Sequence, residues 1–122
     1  MRNESKHTVA VFDSAARTAT SSKTFNTPCS AGLFVIDVTA VTATPSVVFT
    51  IAGVDPANDV EYTILTSAAI VGTGTTVLRI HPELTAAANT IAKDFLPQAI
   101  KVTATHGDAD SITYSVGFVG VN

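Results

Sequence analysis

The sequence predicts an all-β domain: an antiparallel β-sandwich, jelly-roll-like, of about seven or eight strands with an extended N-terminal arm. Three observations predict it. Apolar and polar residues alternate with a period of two through much of the 122-residue chain, as in strands buried on one face. The alternating runs are short and separated by Gly, Pro, Asn and Asp at intervals that suit a sandwich. Only the segment Pro82 to Pro97 has near-helical spacing, and prolines bracket it.

The central stretch is Leu33 to Asp55. Leu33 to Val41 is almost wholly apolar and β-branched, and Thr44-Pro45-Ser46 breaks it with turn chemistry. In Val47 to Asp55, Val47, Phe49 and Ile51 fall on one face and Val48, Thr50 and Ala52 on the other. The two halves are expected to pair as antiparallel strands at the centre of the domain.

Taken in order, Met1 to Lys6 is polar and reads as a loose terminal arm. His7 to Asp13 reads as a short first strand. Ser14 to Thr27 is rich in Ser, Thr and Ala and has little apolar content, so its own burial cannot hold it. It reads either as a connection or as an arm ordered on a neighbouring subunit. Residues 1–24 are therefore expected to form an extended arm with a first short strand, and residues 25–122 the sandwich. Pro56-Ala57-Asn58-Asp59 is a turn, and Glu61 to Thr66 returns from it, making Val47 to Thr66 a hairpin. Ser67 to Val71 extends that strand or crosses between sheets. Thr75 to His81 alternates, with Val77, Arg79 and His81 opposite Leu78 and Ile80.

Pro82 to Pro97 is expected to be a long loop with at most one helical turn, because Asn89 and Thr90 are poor helix formers. Its apolar residues should pin it to the sandwich. Gln98 to His106 is a strand, Gly107 to Asp110 a turn, and Ser111 to Val121 the last strand, with Ile112, Tyr114, Val116 and Phe118 on one face. Strands at both termini imply edges. Gly117 to Val121 would be an uncharged, apolar one, most simply covered by a partner chain.

Composition narrows the function. Charged residues are 14% of the chain, against about 25% in typical domains, and Thr, Ser and Ala take their place. Such a surface suits a protein partly covered by other protein. The net charge of −3 and the scattered cations Arg2, Lys6, Arg17, Lys23, Arg79, Lys93 and Lys101 argue against a nucleic-acid partner, which needs clustered cations. Cys29 is the single cysteine, so no internal disulfide forms. The apolar run Val9 to Phe12 is too short for a signal peptide and no run is long enough to span a bilayer. Synthesis in the cytoplasm and no membrane partner are expected.

Nothing in the sequence supports catalysis, a cofactor or a metal, and no site residue of any of these kinds is assigned. His106-Gly107-Asp108-Ala109-Asp110-Ser111 places two acids and an imidazole close together, but Asp and Gly are what a tight turn requires. His7, His81 and His106 share no metal-ligand spacing, and Cys29 has no neighbour that would activate a thiolate. Gly72-Thr73-Gly74 is followed by neither Lys nor a helix and reads as a strand-to-strand turn. Ser14, Ser21, Ser22 and Ser30 lack a nucleophile-elbow context.

Several stretches carry a resemblance: Val35 to Ile51, Tyr62 to Ile70, Gly74 to Ile80, Leu84 to Asn89, and Thr105 to Gly117. Together they resemble a small virion protein recurring in tailed bacteriophages. The resemblance implies a β-sandwich structural subunit similar to capsid cement (decoration) proteins, lying on the capsid surface of the virion. Its partners would be the major capsid protein and copies of itself, as a homotrimer over capsid symmetry axes or junctions. Met1 to Lys23 would serve as a clamp along a neighbour. A tail-tube, head–tail connector or fibre-associated component is the alternative. A host-surface binding module ranks third, since Trp is absent and Tyr62 and Tyr114 both fall in strands. An enzyme ranks last.

Overall fold

The computed structural model describes residues 6–121, and no helix occurs among them. Nine strands follow in order: β1 (Lys6–Arg17), β2 (Ser21–Asn26), β3 (Ala31–Val41), β4 (Val47–Val54), β5 (Glu61–Thr66), β6 (Gly74–Ile80), β7 (Ile91–Ala92), β8 (Ala99–His106) and β9 (Ile112–Val121). They form two sheets, β1-β9-β3-β6-β7 and β2-β8-β4-β5. The expected all-β sandwich is what the chain forms, with the two-residue β7 as a ninth strand.

The pairing identifies the kind of sandwich. With β7 set aside, the first strand pairs with the last, the second with the second-last, and so inward: β1 with β9, β2 with β8, β3 with β6, β4 with β5. That is one long hairpin of strand pairs. The lateral pairs β3–β9 and β4–β8 roll it into two facing sheets. This is a jelly roll.

Alternation drives the burial. In β9, Ile112, Tyr114, Val116, Phe118 and Gly120 point inward and every intervening residue is partly exposed. Val47, Phe49 and Ile51 of β4, Leu78 and Ile80 of β6, and Ile100, Val102 and Ala104 of β8 close the core from the other strands. A one-residue slip in any of these strands would turn the whole apolar set to solvent, so the register is strongly specified. In β1 the pairing shifts between Ala10 and Phe12, and this bulge lets the consecutive residues Val11 and Phe12 both be buried.

Four expectations are corrected. β3 and β4 do not pair: they lie in different sheets, and Thr42–Ser46 crosses the sandwich, with Ala43 in the left-handed region at φ 60°. β8 and β9 likewise belong to opposite sheets, so Gly107–Asp110 is a crossing and not a hairpin turn. Both errors share a cause, because consecutive strands in a jelly roll mostly alternate between sheets and local turn chemistry does not reveal it. The stretch Ser14–Thr27 ends β1 and supplies β2, its backbone hydrogen bonds being taken up by β9 and β8. Finally, β9 is no edge, since β1 and β3 of the same chain flank it. The terminal arm expected at Met1 to Lys6 lies outside the described residues except for Lys6, where β1 begins.

Residues 82–97 form the expected long connection, except that Ile91–Ala92 pair with β6 as β7. Leu96, at 4% exposure, is its main anchor, its N–H donating to Ser30 O at 2.8 Å, whereas Phe95 is 63% exposed. The hairpin β4–β5 is as expected, its turn closed by Asp55, whose carboxylate accepts from Ala57 N at 2.9 Å.

Candidate assembly surface

Each sheet has one face in the core and one facing outward, and the two outward faces differ. On the four-stranded sheet, Ser22 of β2 pairs with Thr103 of β8, Thr103 with Thr50 of β4, and Thr50 with Thr66 of β5. A row of hydroxyls therefore crosses that sheet, next to Thr24, Lys101 and Thr105. This is the ordinary apolar-in, polar-out pattern of an antiparallel sheet.

The five-stranded sheet departs from it. The inward residues Phe34, Ile36, Leu78, Val116 and Phe118 are fully buried, yet toward one end of the sheet several of the outward residues between them are apolar too, while Asp37, Thr75 and Ser115 form a polar row beyond them. Leu33 pairs with Val119, and Val35 stands between Val77 on one side and Gly117 on the other. Thr8 and Ala10 of β1 continue these two rows outward. All of Leu33, Val35, Val77, Val119 and Val121 are partly exposed. On β3, β6 and β9 only Arg79 and Asp37 carry charge, and Asp37 accepts a hydrogen bond from Thr75 Oγ1 at 3.3 Å. Leu84 and His81 rise at one border, so that Gly32, Leu33, Arg79, Val119 and Val121 floor a shallow hollow of about 260 Å³.

At one end of the sandwich lies a polar cluster that sequence spacing does not reveal. Arg17, at the end of β1, donates to the carbonyls of Asp13 at 2.6 Å, Ala15 at 3.2 Å and Tyr114 at 2.8 Å. Its guanidinium lies 4.6 Å from the Tyr114 ring centroid and 5.2 Å from that of Phe12. His106 Nε2 and Tyr114 Oη are hydrogen-bonded at 3.1 Å. The cluster ties the ends of β1, β8 and β9 together. Its residues lie 97 and 8 positions apart along the chain, so only the fold could bring them together.

The cluster gives stability a pH window. Burial holds His106 below its usual value of 6.5, with Arg17 acting the same way against the pull of Asp108. Burial also lifts Tyr114 above its usual 10.0. Below pH 6.5 the unfolded chain takes up a proton that the folded one resists, so stability should fall as pH drops through that value. Above pH 10.0 the unfolded tyrosine ionises first, and stability should fall again. Denaturant midpoints measured across pH should show this plateau, and His106→Gln should flatten the acid limb. An unchanged slope between about pH 7 and 5 in that variant would remove His106 as the cause.

The residues weighed from sequence for chemistry lie apart. Asp108 accepts from Asp110 N at 3.0 Å and Asp110 accepts from Thr44 N at 3.2 Å, so both carboxylates cap backbone at the crossing loops. His7 is hydrogen-bonded to Thr27 Oγ1 at 2.9 Å, and His81 Nδ1 accepts from Glu83 N at 3.0 Å, each far from His106. Among the described residues no three His, Cys, Asp or Glu side chains converge to hold a metal ion. Cys29 is a buried free thiol just before β3. Gly72–Gly74 joins the β5 side of one sheet to β6 in the other.

No protein family and no curated protein matches the chain by sequence. Among solved structures, the chain is similar to chains in the structures of infectious bursal disease virus Gx and Gt strains. The TM-scores are 0.46 and 0.49, at 11% and 15% identity over 98% and 97% of this chain. The chain spans about a third of the length of those chains, 33% and 32%.

Proposed function

We propose that this protein is a structural subunit of a virus particle, most simply a cement or decoration protein on the outer surface of the capsid. In this reading the outward face of the five-stranded sheet is a contact surface, seated against the major capsid protein and against copies of the chain in a trimer. The observation that carries it is the apolar surface Leu33, Val35, Val77, Val119 and Val121. A jelly roll alone does not select a function, since the same fold serves capsids, lectins and enzymes. A patch of partly exposed apolar residues at one end of an outward sheet face does narrow the choice, because clustered apolar surface marks an interaction site. The low charge of the whole chain, 14%, points the same way.

Apolar contact contributes roughly 25 cal/mol per Å² before the ordering costs of association, and an ordinary interface buries about 800 Å² per partner. With only Arg79 and Asp37 charged on its central strands, ion pairs should add little, so assembly should depend weakly on salt. The test is the mass of the protein in solution over a salt series, together with electron micrographs of purified heads carrying and lacking the chain. A trimer that survives salt, and heads that lose robustness without the chain, are expected. A salt-independent monomer that ignores heads would overturn the reading, and sixfold rings would move the protein to the tail.

A further inference from the structure

We infer that the opposite end of the sandwich carries a site for a neutral saccharide, built on Tyr62. This goes beyond the assembly role and does not rest on it. The hollow has a volume of about 310 Å³, and Asn26, Val54, Pro56, Tyr62, Pro97 and Gln98 line it. That volume is at the lower end of small-molecule sites, about 300–1,000 Å³. Its walls come from four separate places in the chain: the end of β2, the β4–β5 hairpin, β5 itself and the run into β8.

The lining chemistry selects the ligand. No charged residue lines the hollow, so an anion or cation has no partner in it. Tyr62 is 47% exposed, unusual for a large aromatic side chain on a strand. Its ring lies over Gly53, where any Cβ would collide with it, so one ring face is backed by the sheet. Lys101 Nζ and Glu61 Oε2 form an ion pair at 2.8 Å that links β8 to β5 across β4. The same hollow is lined by the exposed residues Asn26 and Gln98, whose carboxamides each offer both donors and an acceptor.

An apolar ring face flanked by paired donors and acceptors complements a pyranose, whose C–H face is apolar and whose rim of hydroxyls needs both kinds of partner. A proline-rich peptide would also contact Tyr62, but such peptides are held in grooves with several aromatic walls, and this hollow has one aromatic ring. By sequence a surface-binding module ranks low because both tyrosines fall in strands. The structure shows that Tyr62 sits on the edge strand β5 and not in the core.

The test is NMR titration of the protein with maltose, cellobiose, lactose and chitobiose, each alone, and separately with a proline-rich peptide. At least one disaccharide is expected to shift the Tyr62 ring signals with millimolar affinity, and Tyr62→Ala to weaken that binding about tenfold or more. Gln98→Ala, on an exposed position outside the strands, should weaken it while leaving the remaining spectrum unchanged. The inference is overturned if no disaccharide moves the Tyr62 signals, if only the peptide does, or if sugar binding is undiminished in Tyr62→Ala.

Discussion

Phe118→Ala is expected to destabilise the domain by about 3–5 kcal/mol, a large share of the roughly 5–15 kcal/mol that holds such a domain folded. Phe118 is 1% exposed and joins the two sheets at one end of the core. Its ring centroid lies 5.0 Å from that of Phe34 in β3 and 5.1 Å from that of Phe25 in β2, on the facing sheet. His7 approaches the same ring edge-on at 6.3 Å. Room for the ring is made by absent side chains: a Cβ at Gly120 would fall 2.8 Å from it and 2.9 Å from Cys29 Sγ, and one at Gly32 would fall 2.7 Å from it. A slot shaped by two glycines and a buried thiol cannot collapse easily when the ring is removed, which places the cost high in the usual range. Denaturant unfolding measures it. A loss below about 1 kcal/mol would show that the sheets hold together without this ring.

Val119→Lys should abolish self-association and head binding while leaving the fold intact. Val119 stands between Thr8 and Leu33 near the middle of the apolar face, partly exposed and pointing away from the core. In the isolated chain the lysine stem can lie along the sheet with its ammonium in water, so stability should change by no more than about 1 kcal/mol. In an assembled particle the same ammonium would be buried without a partner, which strongly disfavours the contact. Thr103→Lys, on the hydroxyl row of the opposite sheet, is the matched control and should assemble normally. Sedimentation and head-binding assays read both variants. If Val119→Lys assembles like the unaltered protein, the five-stranded face is not the contact surface.

Much of the core is legible in the amino-acid order alone. The inward sets Val47-Phe49-Ile51, Ile100-Val102-Ala104 and Ile112-Tyr114-Val116-Phe118 are readable from alternation, and all of them are buried. The β4–β5 hairpin is readable because its turn residues and both its strands are contiguous. The partners of β3, β8 and β9 are not, because whether a turn closes a hairpin or crosses to the other sheet depends on packing far from the turn. β1 and β2 are longer and more regular than their residues suggest for a related reason. Their Ser, Thr and Ala residues carry weak signals, and β9 and β8 supply the hydrogen bonds that order them.

The candidate surfaces divide along the same line. Leu33, Val35, Val77 and Val119 are visible as apolar strand residues, but the sequence does not say that they share one outward face. Their outward position follows from parity only once Phe34, Leu78 and Phe118 are known to face inward. Tyr62 reads only as a strand residue, and the pairing of β5 makes it an edge residue. Local alternation set which side chains within a strand share a face, because that depends on the pleat alone. Which strands adjoin, which strand ends the sheet and which face meets water were settled by tertiary pairing, because each depends on contacts between residues far apart in the chain.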